Sequence, residues 1–206
     1  MMANNFAELA FTDAIKALQE KAGSRASYAR MEKGTHIDGF TEYEENFTKD
    51  RDSFYLSTMG ENGYPYIQHR GGPKGFLKIL DKHRLGFIDF RGNMQFISVG
   101  NLETNNKVAI ILVDYPARAR LKIYARAEII EIKNDPELRK LLDLEGYNFK
   151  PDRMMVFHID AYDWNCPQHI TPRYTVAEIE EAFSGQRDYI AKLESENNVL
   201  RTQLKK

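Results

Sequence analysis

The sequence predicts a mainly β fold with flanking helices, built as a small closed or partly open antiparallel barrel. Three observations lead to it. From Ser53 onward the chain is a succession of short apolar or alternating runs bounded by turn residues such as Asn62-Gly63. Before and after that stretch, apolar residues recur at helical spacing instead. The composition, with 42% apolar, 29% charged and 12% aromatic residues in a chain of 206, suffices for one domain with a real core.

Residues 1–52 are expected to be a helical segment packing on the barrel. Within it, FTDAIKALQEKAG (11–23) carries Ala14, Ile15, Leu18 and Ala22 on one helical face, with Thr12 placed to cap and Gly23 to terminate. GSRASYARMEKG lacks a clear period and is expected to be irregular. TEYEENFTKDRD (41–52) reads as a second, shorter helix with acidic residues in its first turn.

The β domain is expected to span residues 53–174. SFYLSTM and PYIQHR flank a GENG hairpin signal, with Pro65 at a strand start where a missing amide donor is tolerated. RLGFIDFRG is a third strand, and NMQFISVGNLETNNK a short helix or helical turn. KVAIILVDY shows little polar alternation, as expected of a strand buried on both faces. RLKIYARAEIIEI alternates well, DPELRKLLDLEGY is helical, and RMMVFHIDAYDWN is the last strand.

Residues 175–206 change period. Phe183, Ile190, Asn197 and Leu204 fall seven apart, with Leu193 and Leu200 at the alternate positions. That is the seam of a C-terminal coiled-coil-like helix, and a core Asn favours a parallel, in-register pair. The alternative is a helix packed on its own domain.

The net charge of -1 provides no global field for nucleic acid or a membrane surface. The single cysteine, Cys166, allows no internal disulfide. No signal-peptide pattern and no bilayer-length apolar run is visible. A cytoplasmic protein with no nucleic-acid or membrane partner is the expectation.

Three polar clusters stand out. In YIQHRGGPKGFLKILD (66–81), Gln68 and Arg70 share one face of a strand while His69 points the other way. Gly71 to Gly75, with Lys74, either makes a tight corner or lets an anion approach the backbone. In FRGNMQFISVGN (90–101), Arg91, Gln95, Ser98 and Asn101 precede or open a helical turn, which suits a phosphate or merely caps an exposed loop. In DWNCPQHITPR (163–173), Trp164, Asn165 and Gln168 can lie against an aromatic ligand and read its edge, or end a strand in the core. Cys166 and His169 make poor nucleophile geometry, and His158, His169 and the one cysteine have no recognised metal-ligand spacing.

Taken together, GSRASYAR, DSFYLST, YPYIQHRGGPKGFLKILD, GFIDFRGNMQFISVGNL and DWNCPQHITPR, in this order, resemble the pyridoxamine 5'-phosphate oxidase-related, FMN-binding split-barrel family. The resemblance runs from about Phe11 to Tyr174 and is closest to a less characterised branch. It implies a six-stranded antiparallel split β-barrel and a homodimer with FMN at the interface. It also implies FMN contacts from Gln68, His69, Arg70, Gly71 and Lys74, from Asp89, Phe90, Arg91, Gln95, Ser98 and Asn101, and from Arg120, Trp164, Asn165 and Gln168. An Arg-Lys pair of the oxidase pattern is absent near Ile97 and Ser98, so Arg70 and Arg91 are the phosphate candidates. Arg70, Gln168 or Asn165 are candidates to stabilise reduced flavin. The oxidase's Arg-Leu-His-Asp-Arg-like C-terminal stretch is missing, so pyridoxamine phosphate oxidation itself is not expected.

The implied activity is an FMN-dependent oxidoreductase acting on a small organic molecule, with no catalytic residue assigned and no metal. The competing classes are a non-catalytic flavin or haem binder, and an interaction protein whose working part is the tail.

Overall fold

A computed structural model describes residues 5–34, 38–164 and 167–204. Three helices open the chain. The first is α1 (Phe6–Ala10), whose start is capped by the Asn5 side chain accepting from the Ala7 amide. Next comes α2 (Asp13–Lys21), which follows an extended Thr12 and stops before Gly23 at φ +72. The third, α3 (Arg25–Glu32), corrects the expectation of irregular chain. Its residues are mostly good helix formers, but none is buried, so the apolar stripe that signals a helix is missing. Lys16 pairs with Glu32, and Arg25 donates to Gln19 Oε1 at 2.8 Å, which ties α3 to α2, while Arg25 also pairs with Glu32 within α3. Phe6 stacks on Tyr124 with ring centres 4.7 Å apart, which sets α1 against the sheet.

Thr41 and Glu44 form a capping box at the start of α4 (Glu42–Lys49), as the acidic first turn suggests. The sheet then begins with β1 (Ser53–Met59) and β2 (Pro65–Gly71), joined at the expected hairpin. There follow β3 (Lys78–Asp81), β4 (Arg84–Phe90), α5 (Ile97–Thr104), β5 (Lys107–Asp114), β6 (Ala119–Ile130), α6 (Pro136–Leu141) and β7 (Pro151–Trp164). All pairings are antiparallel, in the order β2-β1-β5-β6-β7-β4-β3.

The sheet therefore has seven strands, not six, and its end strands β2 and β3 do not pair with each other. The additional strand is the short β3, four residues reached through the Gly72–Gly75 corner, which a local pattern does not separate from the apolar run before it. The curved sheet wraps a core of Phe54, Leu56, Phe76, Leu85, Phe87, Leu112, Leu121, Ile123 and Phe157, among others. Each such side chain contributes roughly 1.5–3 kcal/mol by leaving water. In β5 only one face is fully buried: Val108, Ile110 and Leu112 enter the core, whereas Ala109 and Ile111 on the other face are half-buried. The apolar character of that outer face, not two-sided burial, suppresses the alternation.

Thr175 and Glu178 form a second capping box at α7 (Val176–Ala182), and Phe183 joins it to α8 (Ser184–Gln203). No residue of α8 is buried, so the helix does not pack on its own domain. No helix among the described residues is long and apolar enough to cross a membrane.

Candidate functional site

Strand alternation builds the site. On β2, Tyr66, Gln68 and Arg70 are half-buried, while Ile67 and His69 face out. His69 meets the Tyr55 ring edge-on at 5.4 Å, on the side away from Arg70. Beside this face, the end of β4 supplies Asp89 and Phe90. The chain then passes through Met94 and Phe96, both at positive φ, into α5. Two left-handed residues turn the segment tightly and aim the start of α5 at β2. There Ser98, buried in the first turn of α5, donates to Gln68 Oε1 at 2.8 Å. No side chain caps α5, so its leading amides have no partner within the helix.

The resulting cleft of about 120 Å³ is lined by Gln68, Arg70, Asp89, Phe90, Gln95 and Ser98, among others. Its electrostatic centre is a buried carboxylate between two cations. Arg70 Nη1 donates to Asp89 Oδ1 at 2.6 Å, and Arg153 Nε lies 3.9 Å from Asp89 Oδ2. Arg153 also pairs with Asp152 and lies over the Phe96 ring, 5.1 Å from its centre. Burial pushes the Asp89 carboxyl above its ordinary value, against the pull of Arg70 and Arg153. The same burial lowers Arg70 from its usual value, opposed by Asp89. Among the described residues, Arg70 Nε has no hydrogen-bond partner although it is buried. One donor of the guanidinium is thus held by Asp89 while Nε stays unpaired. An open cationic donor, a buried hydroxyl and uncapped helix amides at one place can hold a phosphate.

Of the sequence-predicted residues, the structure brings together Gln68, Arg70, Asp89, Phe90, Gln95 and Ser98. The remainder lie elsewhere. Gly71 ends β2. The following amides are already taken: Gly72 donates to the Asp52 carbonyl and Gly75 to the Arg51 carbonyl, both at 2.9 Å. A Cβ at Gly72 would stand 2.7 Å from the Phe76 ring, so the glycine run is a tight corner packed on the core. Lys74 lines a different cleft, with Arg173 and Tyr115. Arg91 is exposed, and among the described residues its side chain bonds to Met94 Sδ, at 3.8 Å. Asn101 donates to Thr58 Oγ1 at 3.0 Å, and Arg120 sits opposite Val113 in the β5–β6 ladder.

The Trp164 end is an internal lock. Its Nε1 donates to Glu44 Oε1 at 2.8 Å, and its ring lies 4.9 Å from Tyr43 and 4.7 Å from Phe47. Glu44 also accepts from the Thr41 amide and hydroxyl. Burial alone would raise the Glu44 carboxyl, but the hydrogen bonds from Thr41 and Trp164 hold it below the usual carboxylate range. Beside it, burial and the Glu44 charge push the Tyr162 phenol up to about 12. Gln168 lies in an exposed turn, and Asn165 falls outside the described residues, as does Cys166.

The residue that sequence reasoning missed is Arg153. It opens a strongly apolar run and pairs with Asp89 in the β4–β7 register. Only that long-range register brings it to the cleft.

A family model described as pyridoxamine 5'-phosphate oxidase matches residues 40–159. No curated protein matches the chain. Among solved structures, a candidate pyridoxamine 5'-phosphate oxidase from Lactobacillus delbrueckii is 22% identical, with a TM-score of 0.48 over 62% of this chain and 95% of that one. A Clostridium acetobutylicum protein related to general stress protein 26, of the pyridoxinephosphate oxidase family, is 18% identical, with a TM-score of 0.47 over 66% and 94%. An FMN-binding protein from Syntrophomonas wolfei is 14% identical, with a TM-score of 0.45 over 71% and 97%. The matched region runs from Phe40, at the entry to α4, to Ile159 in β7 and includes every residue that lines the cleft, and on that match the chain belongs to the pyridoxamine 5'-phosphate oxidase family.

Proposed function

We propose that this chain is an FMN-binding flavoprotein whose cleft between β2 and α5 takes the phosphate end of the cofactor, and that it acts as an oxidoreductase on a small organic molecule. The observation that carries the reading is the unpaired Nε of Arg70, a residue that lines one cleft with Ser98 and the uncapped start of α5. Arg70 and Arg153 would hold the phosphate charge, with Gln95 and Ser98 donating hydrogen bonds. Asp89 would orient Arg70 by fixing one arm of its fork. When bound, the flavin supplies the redox chemistry.

A cleft of about 120 Å³ admits a phosphate but not a whole flavin, since ligand pockets typically reach several hundred Å³. The ring must therefore lie along the surface beside β2 and be covered from outside. The outer face of β1 and β2 presents Tyr55, Met59 and Ile67, the last of them 65% exposed. A second copy placed there would bury this apolar face, in keeping with the homodimer with FMN at its interface that the family resemblance implies.

The test is an absorbance spectrum of the purified protein, followed by mass analysis of what heat releases. A flavin spectrum with FMN in the supernatant is expected. A colourless protein that takes up no added FMN overturns the reading, and a Soret band without flavin absorbance replaces it with haem binding.

A further inference from the structure

We propose that α8 is one strand of a parallel, in-register two-stranded coiled coil formed with a second copy of the chain. The proposal is independent of what the cleft binds. The 20-residue α8 has no buried residue, yet it carries an apolar seam interrupted by Asn197. Ile190 and Leu204 occupy a positions with Asn197 between them, while Leu193 and Leu200 occupy d positions. Their exposure runs from 44% at Leu193 to 88% at Leu204. Asp188, Ser195 and Thr202 form the opposite, polar face. A lone helix of this length with such a seam in water is marginal, so the seam needs a cover.

Charge selects the cover and its direction. In a parallel pair, each g position faces the next e position of the other strand. Glu196 then meets Arg201 of the second copy, and by symmetry the pair occurs twice. Asn197 meets Asn197 and can exchange side-chain hydrogen bonds across the seam. An antiparallel pair centred on residues 193–197 sets like charges together: Glu196 against Glu196, Glu194 against Glu194, and Arg187 against Arg201. It also sets Asn197 against Leu193, which leaves a buried amide without a partner. The parallel pair therefore combines a matched Asn197 pair with a matched Glu196–Arg201 pair, which that antiparallel register lacks. In α8 as it stands, Glu196 reaches only Lys192 of its own helix, at a loose 3.9 Å.

Disulfide trapping in the full chain tests this. Cys166→Ser removes the native thiol. In that background Asn197→Cys places a thiol on the seam and Thr202→Cys places one on the polar face. A disulfide requires Cα atoms within about 7 Å, which an in-register a position provides and an outward position does not. On mild oxidation at micromolar protein, the position-197 thiol should give a covalent dimer as its main product, at least tenfold above the position-202 control. Adding Glu196→Arg should lower that yield severalfold, and Arg201→Glu on top of it should restore the yield. No cross-link at position 197, equal yields at the two positions, or a failure of the double charge swap to restore the yield each overturns the proposal. Dimerisation through the barrel alone, or tails that pack on the barrel, gives the first of these results.

Discussion

Glu44 and Asp89 are both buried acids, 5% and 6% exposed, yet their surroundings push them in opposite directions. Glu44 is held below its ordinary value because an amide, a hydroxyl and an indole N–H all point at its oxygens. Asp89 is held above its ordinary value because burial outweighs two arginines that only partly converge on it. Burial by itself therefore does not mark a site. What differs is hydrogen-bonding capacity: around Glu44 the donors are consumed, whereas beside Asp89 the Arg70 guanidinium still has an open donor. The first arrangement is a structural lock between α4 and the end of β7. The second is a charged centre with an unpaired donor, the one we propose takes an anion.

The strongest way to break this contrast is to remove the open donor. Arg70→Ala should weaken FMN binding by about 10- to 100-fold, since charge-assisted hydrogen bonds are worth about 1.5–3 kcal/mol. It should also lower stability, because Asp89 keeps only the more distant Arg153. Arg70→Lys separates the two effects by keeping the charge while losing the planar fork, and should cost about tenfold in affinity with a near-normal melt. Flavin fluorescence titration beside a thermal melt reads both quantities. FMN affinity unchanged in Arg70→Ala would dissociate the cleft from the cofactor.

The lock should respond the other way. Glu44→Gln removes the charged acceptor of Trp164 and Thr41 and should cost about 1–3 kcal/mol of stability, with FMN affinity within twofold of the parent. The pH sign follows from the lowered folded value. Glu44 contributes stability that is complete above the ordinary carboxylate range and is lost as pH falls through its folded value. Denaturant melts across the acid range should show a shallower acid loss in Glu44→Gln than in the parent. If FMN affinity fell instead and stability held, the Trp164 end would belong to the site after all.

This contrast also separates what was legible in the sequence from what was not. The hairpin, the sharing of one β2 face by Gln68 and Arg70, and the turning away of His69 all follow from a period of two within one strand, so local residues suffice. The helix of α3 was hidden because its residues have helix propensity without an apolar face. Arg153 was hidden because its place in the cleft depends on the register between β4 and β7. Trp164 was misleading for the same reason in reverse. The segment looks rich in ligand-reading groups until the chain folds and α4 brings Glu44 to the indole N–H. Gly71–Gly75 likewise has the composition of an anion loop, but its amides are taken by carbonyls at the end of α4 and the start of β1. Residue type indicates what a group can bond to, and only the fold reveals whether something else has already bonded to it.

A smaller effect sharpens the role of Asp89. Its raised folded value gives the opposite pH sign to Glu44: its contribution to stability falls as pH rises through that value. An arriving phosphate competes with Asp89 for Arg70 and raises the carboxyl further, so binding should take up a proton there. Parent affinity should thus fall relative to Asp89→Asn, by a few-fold, as pH rises through the raised Asp89 value. Taking the ratio of the two affinities at each pH cancels the titration of the phosphate itself. A ratio that stays flat would mean that Asp89 only positions Arg70 and does not exchange a proton.

The smallest expected effect tests the neutral side of the cleft. Ser98 donates its hydroxyl hydrogen to Gln68, and the uncapped first turn of α5 lines the cleft. When a phosphate arrives, the hydroxyl can rotate to donate to it instead, while the Gln68 amide group turns to donate as well. Ser98→Ala removes one neutral hydrogen bond, worth about 1 kcal/mol, and should weaken FMN three- to tenfold with little change in melting temperature. Ser98→Thr keeps the hydroxyl but adds a methyl group in a buried first turn, and should restore affinity only if that methyl finds room. Both variants leave Arg70, Asp89 and Arg153 in place, so the pH ratio between parent and Asp89→Asn should be the same in a Ser98→Ala background. A changed ratio would show that the hydroxyl and the buried charges act as one coupled network; an unchanged one separates phosphate hydrogen bonding from the charge balance at Asp89.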